Sequence, residues 1–129
     1  MSGYLLDTHA LIWFLSKSDQ LPEPTREQIR NESMQIYVSI ASLWELSIKL
    51  SLGKIKLEQP LPDVIGGVTN STFQLLPITT AHVLRVMGMP FHHRDPFDRM
   101  LIAQATEEGL TVISRDLAFD RYGVTRIWS

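Results

Sequence analysis

Apolar residues in this chain gather into short runs rich in Val, Ile and Leu, separated by stretches of helical spacing, and nowhere do two runs flank a hairpin turn. Strands that cannot pair by hairpins must pair through helical crossovers, which lays them parallel in one sheet. Strands are expected over residues 3–6, 35–38, 72–77, 110–113 and 124–127, with helices over 10–16, 24–32, 40–52 and 79–87. A turn over 58–62 precedes one or two helical turns over 63–68, which Gly66 and Gly67 should loosen. The clearest helix runs over 96–108: Asp95 suits the N-cap, Pro96 the first helical position, Phe97, Leu101 and Ala105 one apolar face, and Gly109 the stop. Residues 117–121 read as a short helical turn. The fold class expected is therefore α/β with a largely parallel five-stranded sheet, in a single domain over residues 1–129 that no repeat or linker divides.

Several function classes drop out on composition. There is no cysteine among the 129 residues, which excludes a disulfide scaffold, a thiolate zinc site, an iron–sulfur cluster and a thiol nucleophile. The longest apolar run, Ala10 to Leu15, falls far short of the roughly 20 residues a bilayer span needs. No Lys or Arg precedes it, so no secretory signal is expected and the cytoplasm is the expected location, with no membrane partner. Neither a P-loop nor a dinucleotide fingerprint occurs, nor a serine-hydrolase elbow. Twelve Lys and Arg against fourteen Asp and Glu give a net charge of −2. That sum does not exclude a polyanionic partner, because cations bound to four of the acids would turn it positive.

In an open parallel sheet, functional groups gather outside the carboxyl ends of the strands. Asp7 ends the first expected strand, and Asp116 follows the fourth in Ile113-Ser114-Arg115-Asp116. Glu45 and Asp98 stand near helix starts. Each acid also has a purely structural reading: Asp7 and Asp116 as N-caps, Asp98 and Glu45 in capping boxes with Asp95 and Ser42, or Glu45 paired with Lys49 four residues on. Glu45 resists that reading most, since Leu43, Trp44, Leu46 and Ile48 surround it on a helix with more than one apolar face. Oxygen ligands without cysteine favour Mg²⁺ or Mn²⁺, one ion or two. Such ions suit phosphodiester hydrolysis by an activated water.

Four stretches carry a family resemblance: Leu5-Leu6-Asp7-Thr8-His9-Ala10-Leu11-Ile12-Trp13, Ser39 through Lys49 around Trp44-Glu45-Leu46, His92-His93-Arg94-Asp95-Pro96-Phe97-Asp98-Arg99-Met100 through Ala105, and Ile113-Ser114-Arg115-Asp116. In this order and at these intervals the chain resembles the PIN-domain ribonucleases, in particular the VapC-like toxins of toxin–antitoxin pairs. The resemblance spans almost the whole chain. It implies a three-layer α/β/α fold, a Mg²⁺- or Mn²⁺-dependent endoribonuclease, a homodimer, and a cognate antitoxin that inserts a segment near the acids. Carried over by position, Asp7 and Asp98 are the central metal ligands, Asp116 binds directly or through water, and Glu45 holds a metal-bound water or a second ion. Thr8 and Ser114 are expected to orient these carboxylates with their hydroxyls, and Asp95 and Asp120 to cap helices or support the acids.

Lys49, Arg99 and Arg115 lie inside the matching stretches and are expected on RNA phosphates. His92 and His93 lack the helical spacing of a histidine metal site, and a loop contact to substrate or to a dimer partner is expected of them. Trp13 and Phe14 read as core aromatics or as part of an antitoxin groove. A phospho-accepting receiver domain is the rival from another class. It would need a second acid beside Asp7, where Thr8 stands, and an Asp after the third strand, where Pro77 stands. A PIN-fold binding module without catalysis is the other alternative.

Overall fold

The computed structural model describes residues 3–31 and 33–128. In chain order the elements are β1 (Tyr4–Leu6), α1 (Thr8–Leu15), α2 (Glu23–Arg30), β2 (Ile36–Ser39), α3 (Ile40–Ser51), α4 (Leu61–Thr69), β3 (Gln74–Leu76), α5 (Thr80–Met87), α6 (Pro96–Glu108), β4 (Thr111–Ile113), a 3₁₀ turn (Leu117–Tyr122) and β5 (Arg126–Ile127). All five strands are parallel, in the order β3-β2-β1-β4-β5. The chain builds outward from β1 to one side through β2 and β3, then returns to add β4 and β5 on the other. The point of reversal lies between β1 and β4, where Leu5 pairs with Val112 and Leu6 with Ile113. A crevice opens at the carboxyl end of such a reversal.

Successive strand residues face opposite sides of a sheet, so Leu5 and Leu6 enter different cores. Leu6, Ile36, Val38 and Ile113 pack with Leu11, Ile29, Leu43, Leu46 and Val68 from α1 to α4. Leu5 and Val112 pack on the other face with Leu101, Ile102 and Ala105 of α6 and with Phe119. The result is the three-layer α/β/α arrangement. Trp13 and Phe14 are partly buried against the first core, as the packing reading of these aromatics expects. No helix of the described residues is long and apolar enough to cross a membrane.

The main departures from expectation lie at element ends. Helix α1 starts at Thr8, because Asp7 caps it by accepting from Ala10 N. Helix α4 runs through Gly66 and Gly67 to Thr69, held by burial of Val64 and Val68 on one side. Strands β3 and β5 are shorter than expected, since ladder partners are found only by Gln74–Leu76 in the middle of the one and by Arg126–Ile127 at the end of the other. Helix α2 runs from Glu23 to Arg30, and Glu32, the expected end, lies outside the described residues. Helix α6 has the predicted cap: Asp95 accepts from Phe97 N and Asp98 N, and Gly109 closes it at φ 68°.

Just before β1, Gly3 has φ 141°, and a Cβ there would lie 2.7 Å from Gln35 O. Gly3→Ala is expected to cost about 1–3 kcal/mol through this strained backbone and the clash. Urea unfolding checks it, read as a lower midpoint at an unchanged slope.

Candidate metal centre

Asp7 continues β1 by donating its N–H to Ile113 O, and its side chain is only 3% exposed with the rest of the residue. Its Oδ1 caps α1, and its Oδ2 accepts from Ser114 Oγ at 2.5 Å. Burial nevertheless pushes the Asp7 carboxyl above the usual range, with the Ser114 and Ala10 hydrogen bonds pulling the other way. Ser114 Oγ also accepts from Asp116 N, so one hydroxyl ties the ends of β1 and β4 together. Asp116 caps the 3₁₀ turn through Oδ1 and turns Oδ2 inward.

Asp98 stands in the first turn of α6, three residues after the Asp95 cap. Burial pushes its carboxyl up to about 8, and Asp95, Asp7, Glu45 and Asp116 add to the rise by repulsion. Glu45 comes from α3 and is buried. Its Oε2 pairs with Lys49 Nζ at 3.1 Å, while its Oε1 is buried with no hydrogen-bond partner among the described residues. The cap readings of Asp7 and Asp116 and the Lys49 pair of Glu45 thus hold together with the convergence of the acids, while neither capping box forms: Asp95 N donates to His93 Nδ1, and α3 is capped by Ser39 and not by Ser42.

His93 stands in the middle of the cluster. Its Nε2 lies 3.0 Å from Asp98 Oδ2 and 3.1 Å from Asp116 Oδ2, and its Nδ1 accepts from Asp95 N at 3.2 Å. That last bond assigns the ring proton to Nε2, which then donates toward both carboxylates. His92 points elsewhere, against the Tyr122 ring. The loop-contact expectation is therefore corrected for His93, which faces the acids. No periodicity marks it, since it sits on an irregular loop whose course depends on distant residues.

Arg99 explains that course, and its expected role on RNA is also corrected. It is buried, and its guanidinium donates to the carbonyls of Pro90, Val86, Met89 and His93 and to Tyr122 Oη. Tyr122 Oη in turn accepts from His93 N and donates to Pro90 O. Arg99 pins the loop that carries His93. Lys49 is likewise taken by Glu45 and is mostly buried. Thr8 does not reach a carboxylate: its hydroxyl donates to Ser42 Oγ and joins α1 to α3. Asp120 lies outside the cluster, where Arg126 holds its carboxyl below the usual range. Arg115 remains exposed at the rim.

Two overlapping sets of side chains bring ligand atoms within 4.8 Å of one another, His93-Asp98-Asp116 and Glu45-Asp95-Asp98. Asp98 belongs to both. The unpartnered Glu45 oxygen and the crowding that raises Asp98 fit a divalent cation, which would relieve both. A carboxyl whose value rises on folding stabilises the fold while protonated, and that contribution is lost as pH climbs through about 8. The cation-free protein should therefore lose stability between about pH 4 and pH 8, with Asp7 acting in the same direction. Asp98→Asn is expected to flatten this dependence and to raise the pH 8 melting temperature in EDTA by on the order of 5 °C. Thermal melts of the two proteins across pH check it.

The model of the PIN domain family matches residues 4–124. No curated protein matches the chain. Among solved structures, a VapBC complex of Salmonella typhimurium bound to DNA is 24% identical, with 98% of each chain covered and a TM-score of 0.69. VapBC2 of Rickettsia felis bound to a promoter DNA fragment is 15% identical over the whole of both chains, with a TM-score of 0.75. A toxin–antitoxin complex of Klebsiella pneumoniae is 19% identical, covering 88% of this chain and 86% of that one, with a TM-score of 0.57. With the family model spanning nearly its full length and the parallel sheet and helical layers in place, this chain belongs to the PIN domain family.

Proposed function

We propose that this protein is a divalent-cation-dependent endoribonuclease and the toxin of a toxin–antitoxin pair. In this reading it acts in the cytoplasm as a single nuclease domain over residues 1–129 and forms a homodimer. One observation carries the nuclease reading: Asp7, Glu45, Asp98 and Asp116 come from four separate elements to the carboxyl end of the sheet, with one buried Glu45 oxygen unpartnered. PIN domains are generally nucleases, and the chains it is similar to sit in VapBC and toxin–antitoxin complexes, which supports a protein antitoxin as partner.

Asp7, Asp98 and Asp116 would hold Mg²⁺ or Mn²⁺, Asp116 directly or through water, with Glu45 beside them for a second ion or a metal-bound water. The bound cation supplies charge neutralisation at the scissile phosphate and lowers the pKa of an attacking water. The chain's own residues set the rest. Ser114 fixes the Asp7 carboxylate through Oδ2 and leaves its second lone pair free. The N-cap bonds of Asp7 and Asp116 hold these carboxylates in one orientation each, so little reordering is needed when substrate arrives. Lys49 balances part of the Glu45 charge without covering Oε1. His93 donates between Asp98 and Asp116 and keeps them from separating.

Antitoxin-free protein is expected to cut a mixed cellular RNA pool in Mg²⁺ or Mn²⁺ and not in EDTA, and Asp7→Asn or Asp98→Asn to lower the rate by about 100-fold or more. Mapping the cut ends then names the substrate. A folded wild type that neither cuts nor gains stability from either cation would overturn the nuclease reading and leave a binding module.

A further inference from the structure

Beside the acids a cavity of about 300 Å³ is lined by Asp7, His9, Trp13, Arg115 and Asp116. Two of its walls belong to the metal centre, and the other three residues have no part in it. The Arg115 guanidinium lies over the Trp13 ring, 4.6 Å from its centroid. On the same indole the His9 ring sits 5.6 Å away and tilted by 36°. Trp13 is itself braced by an edge contact to Trp128 and by the first core. Arg115 makes no salt bridge among the described residues, although Asp116 follows it in sequence, and its one hydrogen bond is a long one to Gln20 Oε1 at 3.5 Å. Its contrast with Lys49 and Arg99 is plain: those two spend their donors inside the chain, while Arg115 keeps most of its own free at the edge of the cavity.

A guanidinium held over an indole ring has lost much of its freedom already and presents a fork of donors suited to phosphate. Guanidinium and imidazole planes also stack on unpaired bases, as aromatic rings do. A cavity of this size suits a small ligand fragment and not a duplex. We propose that Arg115, carried on Trp13 and flanked by His9, forms the subsite for one unpaired nucleotide of single-stranded RNA next to the bond that the acids cut. The inference rests on the nuclease reading and adds the residues that grip the nucleotide beside the cut.

The test measures anisotropy of a labelled, random-sequence 12-nucleotide RNA binding to full-length Asp98→Asn protein, used so that the probe stays intact, over a range of salt. The exposed Arg115 is then changed in that background to Ala or Lys. Arg115→Ala is expected to weaken binding about tenfold and to reduce the slope of log affinity against log salt by about 0.7, one single-strand phosphate contact. Arg115→Lys is expected to keep that slope and recover only part of the affinity, since an ammonium does not stack. A double-stranded probe of the same length is expected to bind more weakly and to be insensitive to both changes.

Unchanged affinity and slope in Arg115→Ala, while wild type cuts RNA, overturns the subsite and leaves the nuclease reading standing. Full recovery by Lys overturns the stacked platform in favour of a simple point charge. A wild type that neither binds nor cuts RNA overturns both.

Discussion

Packing carboxylates against one another at the buried end of a sheet is unfavourable, and the rest of this structure is arranged to hold that position. Asp7 is nearly inaccessible, and Asp98 is pushed up to about 8 by burial and by its four acidic neighbours. The fold tolerates the crowding because Asp98 is held by His93 and the acids around it are each anchored by a local bond that costs little to make. Asp7 and Asp116 cap the elements that follow them, Asp95 caps α6 beside Asp98, and Glu45 leans on Lys49. A carboxylate at a helix start also meets the favourable end of the helix dipole. The electrostatic strain that remains is of the kind a bound cation would relieve.

Around that centre runs a frame of buried polar contacts reaching across the layers. Ser114 joins the ends of β1 and β4, and Thr8 joins α1 to α3 through Ser42. Ser39, which caps α3, donates to Gln104 Oε1 at 2.6 Å, and Gln104 Nε2 donates to Pro77 O. Both elements that deliver an acid from the helical layers, α3 and α6, are thereby tied to each other behind the site. Arg99 and Tyr122 perform the same service for the irregular loop that carries His93. Side chains fixed by such supports reach ligand geometry without having to order themselves first.

Much of this was legible in the chain. Short branched runs between helical stretches were enough for the parallel sheet, and Asp95-Pro96 with Gly109 bounded α6 because capping chemistry is local. Helix α4 was read too short, since Gly66-Gly67 signals a break only until Val64 and Val68 find a core to enter. Of three basic residues singled out by position, Arg99 turned inward to backbone carbonyls, and Lys49 to Glu45. The i,i+4 spacing already offered the Lys49 pair, whereas the inward turn of Arg99 depends on how deeply its helix face is buried.

The amino-acid sequence by itself determined the strand–helix alternation and the helix caps, which follow from backbone sterics and contacts within a few residues, and its four matching stretches marked the four acidic positions. Tertiary structure alone decided which of those acids face one another, that His93 is drawn between Asp98 and Asp116, and that Arg115 is left with free donors on the Trp13 ring. These outcomes pair residues far apart in the chain, such as Asp7 with Ser114 at a separation of 107 positions. Their geometry is set by the order in which the strands enter the sheet, and no local pattern encodes that.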